Sequence, residues 1–167
     1  MADIISTELR SKIMASIRRR DTKPELVVRK ALHSAGFRYS LDVRSLPGSP
    51  DIVLSKWRTA IFVHGCFWHR HPACAYASTP ATRTEFWQAK FDANVARDQK
   101  NENALLNAAW KIAVVWECGL SKDFRDETIG VLIDFICRPI ASSTKIDLPA
   151  TPPRPIYGTT FDEFDRS

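Results

Sequence analysis

Two short β-rich runs, Asp51-Ile52-Val53-Leu54 and Thr59-Ala60-Ile61-Phe62-Val63, lie four residues apart in the first half of the chain. Branched and aromatic residues favour strands, and the polar segment between the runs is typical of a turn. Residues 37–41 have a similar composition and precede turn-forming residues at 46–50. The sequence therefore predicts three consecutive strands that pair as hairpins.

Helical signals surround these strands. Apolar residues recur at helical spacing among basic ones up to Arg20, which predicts a basic amphipathic helix over residues 1–20. Thr22-Lys23-Pro24-Glu25 is a capping box with proline in the first turn, so a second helix is predicted over residues 23–35. Further helices are predicted from about 82 to 109, with Arg97 as the point where a break would fall, and from 123 to 137.

A fourth strand is predicted at Lys111-Ile112-Ala113-Val114-Val115-Trp116, which is almost wholly apolar, as in strands covered on both faces. The order α, α, β, β, β, α, β, α predicts an α/β protein with a mixed sheet flanked by helices. Residues 138–167 hold five of the ten prolines and predict an extended or partly disordered tail. We therefore expect one domain over residues 1–137.

Composition limits the possible classes of function. The chain has 167 residues, 44% of them hydrophobic, which suffices for a single core. It has no apolar run of membrane-spanning length, and its first residues lack the order of a secretory signal, so we expect a cytoplasmic protein. The net charge is +5, and the first thirty residues carry eight basic and four acidic side chains, which favours nucleic acid as a partner.

Ser49-Pro50-Asp51 places a carboxylate at the start of a strand. This arrangement resembles the core of restriction-type nucleases, in which a proline-aspartate pair opens the second core strand and the aspartate holds magnesium. The pair is also common in ordinary turns. The next strand lacks the carboxylate and lysine typical of those enzymes, so the resemblance implies that the second magnesium contact is the backbone carbonyl of Val63.

Cysteine and histidine follow at the spacing of metal ligands. Cys66, His71 and Cys74 offer the sulfur and nitrogen ligands that tetrahedral zinc prefers, with Cys118 or Cys137 as the fourth. Spacing alone leaves both candidates open, and small core cysteines without a metal are the alternative. Four protein ligands leave no open position, so the predicted zinc site is structural.

His64, Phe67, Trp68 and His69 belong to the same segment. Imidazole can accept a proton from water at neutral pH. Two adjacent aromatic residues in a polar loop suit insertion between base pairs, which costs less beside a mismatch.

Separated motifs together resemble the very short patch repair (Vsr) endonuclease family over about residues 8–137. The motifs are Arg20-Asp21-Thr22-Lys23-Pro24-Glu25, Ser45-Leu46-Pro47-Gly48-Ser49-Pro50-Asp51, Phe62-Val63-His64-Gly65-Cys66-Phe67-Trp68-His69-Arg70-His71, Pro80-Ala81-Thr82-Arg83-Thr84-Glu85-Phe86-Trp87, Asn94-Val95-Ala96-Arg97-Asp98 and Val114-Val115-Trp116-Glu117-Cys118. The resemblance implies a magnesium-dependent hydrolase of DNA repair. It would nick one strand 5′ to the thymine of a T:G mismatch that arises from deamination of 5-methylcytosine.

The resemblance also implies roles in catalysis. Asp51 would hold magnesium, His69 would be the general base, and His64 and Glu25 would orient water beside the ion. The capping box explains Glu25 equally well.

The fourth zinc ligand implied by the resemblance is Cys118, while Cys137 is expected to be a buried thiol on the last helix.

For DNA recognition, the resemblance implies an aromatic wedge and two helix surfaces, formed by Phe67, Trp68, Trp87, Met14, Lys90 and Asn94. Core packing is the alternative for Trp87 and Met14, and a solvated surface is the alternative for Lys90 and Asn94.

The expected partner is double-stranded DNA that contains a T:G mismatch, bound by a monomer, with a functional link to a cytosine-5 methyltransferase and to mismatch-repair proteins. Two other functions stay open. One is a restriction-type endonuclease that cuts both strands of matched DNA, and the other is a zinc DNA-binding module without catalysis. The set Asp51, His64 and His69 argues against the module.

Overall fold

The first described helix, α1, spans Lys23–Ser34 and begins where the capping box predicts. Glu25 N–H donates to Thr22 Oγ1, and proline occupies the first turn, where its missing N–H costs nothing. The chain leaves the helix through Gly36, whose φ of +90° favours glycine. Local sequence therefore determines both ends of α1.

The computed structural model describes residues 20–139 and 144–153. The predicted basic helix over residues 1–20, with Met14 on it, lies outside the described residues except for Arg20.

Three further helices are α2 (Cys66–His69), α3 (Thr84–Asn107) and α4 (Arg125–Cys137). Helix α3 is continuous through Arg97, so the break considered there does not occur. Helix α2 is a single turn in a segment whose sequence shows no helical periodicity. Short 3-10 turns follow the first and third strands, at Ser55–Trp57 and Glu117–Leu120.

The sheet contains β1 (Ile52–Leu54), β2 (Thr59–His64), β3 (Lys111–Trp116) and β4 (Lys145–Leu148), in that spatial order. Strands β1 and β2 form an antiparallel hairpin, whereas β2 pairs with β3 and β3 with β4 in parallel. The predicted class, a mixed sheet flanked by helices, is confirmed.

Residues 37–41 do not form the predicted strand, because only Ser40 bridges to Val53. Phe37 and Tyr39 instead pack against the hydrophobic core. The edge of one ring faces the other where Phe37 meets Trp57, and the Tyr39 hydroxyl donates a hydrogen bond to the Arg29 carbonyl. Residues that favour strands can therefore be selected for burial of their side chains even where the backbone does not pair with a neighbouring strand.

Strand β4 lies in the segment for which the sequence predicts a tail. Its register pairs Ile112 with Lys145 and Val115 with Leu148, so β3 is covered on both edges. Four residues beside several prolines carry too weak a pattern to predict a strand. Pairing with the apolar β3 supplies the stability that the local sequence lacks.

Side chains alternate between two apolar layers. Ile61, Ala113 and Val115 face α1 and α4, whereas Phe62 and Val114 face the layer that contains Leu105 of α3 and the cysteines. The carboxyl ends of β2 and β3 therefore lie next to the cysteine-rich loop, residues 65–80, which contains α2. Within residues 20–139 and 144–153, no helix is long and apolar enough to cross a membrane.

Candidate active site and metal cluster

The turn before β1 brings Asp51 to the sheet. Gly48 has a φ of +76°, and a Cβ added there would lie 3.0 Å from Asn101 Cβ on α3. Glycine therefore lets the turn approach that helix closely. Ser49 is also left-handed and Pro50 is buried, so the backbone before Asp51 is tightly constrained.

Asp51 contacts the neighbouring strand through its carboxylate. Oδ2 accepts a hydrogen bond from Val63 N–H at 2.7 Å, whereas Oδ1 has no hydrogen-bond partner among the described residues. Burial raises the pKa of Asp51 from 3.8 to about 6, and the nearby charge of Glu25 acts in the same direction against the Val63 hydrogen bond. A bound cation would relieve this cost, so the carboxylate fits a magnesium ligand.

Glu25 is buried, and both of its carboxylate oxygens accept hydrogen bonds. Its oxygens accept from Asp21 N–H at 3.0 Å, from the Thr22 hydroxyl at 2.9 Å and from Arg29 at 3.0 Å. These contacts confirm that Glu25 belongs to the capping box of α1. The same carboxylate lies near enough to Asp51 to raise its pKa, so capping and proximity to Asp51 coexist.

His64 ends β2 and His69 ends α2, and their rings stack with centroids 3.8 Å apart and planes 9° apart. Burial lowers the pKa of His64 to about 3, with the charge of His69 as the next cause. His64 is therefore neutral at physiological pH.

His69 Nδ1 lies 2.5 Å from Asp98 Oδ2 on α3. Burial alone would raise the pKa of Asp98, but the hydrogen bond and charge of His69 outweigh it and the pKa falls below 3.8. An ionised Asp98 thus faces the ring of His69. The charge of His69 is also among the causes that lower the pKa of Asp51, so the two side chains lie within electrostatic range of each other.

Donor atoms of His64, His69 and Asp98 all lie within 4.8 Å of one another, close enough to suggest a metal site. An imidazole binds a metal in the plane of its ring, however, and two parallel stacked rings have no shared in-plane point. The two histidines are therefore better placed to act on water than to bind one ion together.

A second cluster joins four buried residues, Cys66, His71, Cys74 and Cys118, with donor atoms within 4.8 Å of one another. His71 Nδ1 lies 3.7 Å from Cys66 Sγ and 3.3 Å from Cys118 Sγ. Tetrahedral zinc bonds would separate nitrogen and sulfur by about 3.5 Å. This cluster could hold a metal ion, and it includes Cys118 rather than Cys137.

Thiol chemistry supports the same interpretation. The hydrogen bond with Cys118 and then burial raise the pKa of Cys66, and burial raises that of Cys74. A bound cation would stabilise the thiolates in this site. Cys137 is exposed at the end of α4, so the expectation that it is buried is wrong.

The aromatic residues form one cluster beside α2. The rings of Phe67 and Trp68 lie 5.0 Å apart, and both contact Trp87, which is buried. Lys90 Nζ lies 5.1 Å from the centre of the Trp68 ring, and Asn94 Nδ2 donates to the Trp68 carbonyl at 3.1 Å. Trp87, Lys90 and Asn94 thus support α2 in the free protein.

Sequence reasoning assigned no role to Asp98 or Glu117, although both lie in motifs that carry the family resemblance. Glu117 accepts a hydrogen bond from Cys66 N–H at 2.8 Å. Their partners are 29 and 51 residues away, so only the motifs themselves could have pointed to them.

Comparisons of the sequence with known proteins point to one family. A family model described as DNA mismatch endonuclease Vsr matches residues 2–75. The DNA mismatch endonuclease Vsr of Escherichia coli is 43% identical over 72% of this chain and 76% of that protein. Type II nicking enzymes of Xanthomonas oryzae and Neisseria meningitidis are each 47% identical over 72% of this chain, and the matches cover 88% and 85% of those proteins.

The sheet has Asp51 at the start of one strand and two histidines at the end of the next. Together with these relatives, this arrangement defines the protein as a DNA endonuclease, a hydrolase of phosphodiester bonds. This finding excludes a DNA-binding module without catalysis. The chain belongs to the Vsr family of DNA mismatch endonucleases.

Proposed function

We propose that this endonuclease nicks one strand of DNA on the 5′ side of the thymine in a T:G mismatch. The observation that carries the proposal is the convergence of Asp51, His64 and His69: Asp51 binds the N–H of Val63, and the next residue stacks on His69. The name of the E. coli relative supports action at a mismatch, and the names of the other two support cleavage of one strand.

Magnesium is the proposed catalytic cofactor. Asp51 would hold it through the carboxylate, with the carbonyl of Val63 as a second contact. When bound, the ion would polarise the scissile phosphate and stabilise developing negative charge by several kcal/mol.

His69 is the proposed general base. Because Nδ1 faces the carboxylate of Asp98, Nδ1 carries the proton and the lone pair of Nε2 is free to accept one from water. Asp98 would hold the ring in this tautomer and stabilise its charged form. The neutral ring of His64 packs against one face of His69, and Glu25 would orient water from the side of Asp51.

The Cys66–His71–Cys74–Cys118 cluster is proposed to hold zinc in a structural role, since sulfur-rich sets with four protein ligands leave no open position. The cluster borders α2, so zinc would fix the segment that carries His69.

Mismatch recognition is assigned to the aromatic pair Phe67 and Trp68, with Trp87 behind them. Unstacking costs a few kcal/mol and is cheaper at a mispair, which would favour T:G over T:A. Lys90 and Asn94 on α3 are proposed to contact the major groove, and Met14 of the basic helix over residues 1–20 the minor groove.

The remaining expectations accompany this function. They are a monomer acting in the bacterial cytoplasm, one catalytic domain in which β4 joins the sheet formed within residues 1–137, and links to a cytosine-5 methyltransferase and to mismatch-repair proteins. Hydrolysis would leave a 5′-phosphate and a 3′-hydroxyl.

The test compares two end-labelled duplexes that differ only in a T:G or T:A pair, with Mg²⁺ present. We expect one nick, in the thymine strand of the T:G duplex. Asp51→Ala and His69→Ala should lose nicking but keep DNA binding, whereas His33→Ala, an exposed histidine, should behave as wild type. Cleavage of both strands of the T:A duplex would instead support a restriction-type enzyme.

A further inference from the structure

Trp116, Glu117 and Cys118 are consecutive, and all three contact residues of the segment from His64 to His71. The Trp116 ring stacks on His71 at 4.3 Å between centroids and meets the edge of His64 at 5.3 Å. Cys118 belongs to the metal cluster. Glu117 belongs to neither the metal cluster nor the proposed proton transfer, so its half-buried carboxyl group needs another explanation.

Glu117 lies directly against the backbone that enters α2. Its Oε1 accepts the N–H of Cys66 at 2.8 Å, and a Cβ added at Gly65 would lie 3.8 Å from each carboxylate oxygen. Withdrawing a carboxyl group from water costs free energy unless its contacts compensate, and the hydrogen bond from Cys66 is the contact that joins Glu117 to the start of α2.

Helix α2 needs such external contacts because one turn of helix is not stable alone. The N–H of His69 donates to the carbonyl of Gly65, the residue before the Cys66 N–H that Glu117 accepts. At its far end, His69 is held by Asp98. Glu117 thus holds one end of α2 and Asp98 the other, with Phe67 and Trp68 between them.

We propose that Glu117 is a positioning residue for the nicking reaction, a role that rests on the proposed function. By accepting the Cys66 N–H, it sets the position of α2 on the end of the sheet and therefore the approach of His69 to Asp51. What the role requires is a hydrogen-bond acceptor at this distance, not a negative charge.

Three substitutions separate position from charge. Glu117→Gln keeps the length and an acceptor oxygen, Glu117→Asp keeps the charge but withdraws the oxygen from Cys66, and Glu117→Ala removes both. We expect kcat for nicking to stay within about threefold of wild type for Gln and to fall at least ~10-fold for Asp and Ala, since small misplacements of catalytic groups cost this much or more. DNA affinity and one zinc ion per chain should persist in all three.

Glu102→Ala is the matched control, because Glu102 is another poorly exposed carboxylate whose bonded partner, Lys145, lies outside the loop. Its kcat should equal that of wild type. The reverse order, with Asp active and Gln impaired, would overturn the proposal, as would an unchanged kcat in Glu117→Asp. If Glu117→Ala does not fold, the Gln and Asp variants still decide.

The assay uses whichever duplex the wild-type enzyme cleaves. Failure of wild type on T:G would contradict the proposed function, whereas equal kcat across the variants on the cleaved duplex would contradict the role of Glu117.

Discussion

The imidazole rings of His64 and His69 stack in parallel, 3.8 Å apart, at the end of β2. Two charged rings at this distance would repel, and burial already keeps His64 neutral by lowering its pKa to about 3. One of the two rings can therefore be charged during the reaction, while the neutral ring of His64 packs against it. The bond to Asp98 supports the proposal that His69 is the ring that carries the charge.

Asp98→Asn should lower kcat for nicking by about 10²-fold or more, within the usual range for impaired general base catalysis. The amide can offer a proton to Nδ1, which would leave the proton on Nε2 and block the acceptor. Single-turnover nicking of the T:G duplex measures this effect, with DNA affinity unchanged. Asp92→Asn, an exposed carboxylate on the same helix, is the control, and equal rates for both variants would refute the role.

Asp51→Asn should stabilise the magnesium-free protein while it abolishes nicking. The folded pKa of about 6 exceeds the unfolded 3.8, so ionised Asp51 destabilises the fold fully above pH 6 and hardly below pH 4. The gain in free energy of unfolding should be at most about 3 kcal/mol at pH 7.5 and should shrink as the pH falls through 6.

Urea unfolding at pH 7.5 and pH 5 measures this change. Added Mg²⁺ should stabilise wild type but not the variant. A gain that grows as the pH falls would contradict the assignment.

Cys118→Ser should lose bound zinc, because the variant keeps only three ligands, and its melting temperature should fall. Cys137→Ser should keep one zinc ion per chain, since that thiol is exposed and outside the cluster. Metal analysis of the purified proteins distinguishes the two. Wild-type protein without zinc would remove the assignment altogether.

Trp68→Ala should reduce kcat/KM on the T:G duplex by about 5- to 150-fold, the equivalent of 1–3 kcal/mol for one stacking contact. Phe86→Ala serves as the control because Phe86 is exposed on α3 and its ring contacts that of its neighbour Trp87. The measurement is the T:G to T:A ratio of kcat/KM. An unchanged ratio in Trp68→Ala would exclude the wedge.

Gly119→Ala and Gly130→Ala should have opposite effects on stability. A Cβ at Gly119 would lie 2.5 Å from Pro149 Cδ and 2.9 Å from Thr128 Oγ1, so overpacking should cost about 1–3 kcal/mol. Gly130 lies inside α4 with nothing within 4 Å, and alanine there should add about 1 kcal/mol. Urea unfolding of both variants measures the free energies, and two changes of the same sign would contradict this packing.

Much of the fold follows from local pattern. The capping box sets the start of α1, the apolar run sets β3, and the two β-rich runs set the hairpin. The strand predicted at residues 37–41 is wrong because aromatic residues that are buried from a loop, here Phe37 and Tyr39, give the same composition as a paired strand. Strand β4 was missed because its stability comes from a partner that precedes it by more than thirty residues.

The chemistry divides in the same way. The spacing within the Cys66 to Cys74 loop already indicated a metal cluster, and Asp51 at a strand start pointed to a nuclease through its resemblance to known enzymes. Spacing left Cys118 and Cys137 open and only the family resemblance favoured Cys118; its place in the cluster, and the contacts of Asp98 and Glu117, depend on which distant residues the sheet brings to one end. Periodicity and spacing encode contacts within one element, whereas a contact between side chains far apart in sequence exists only after the elements have packed.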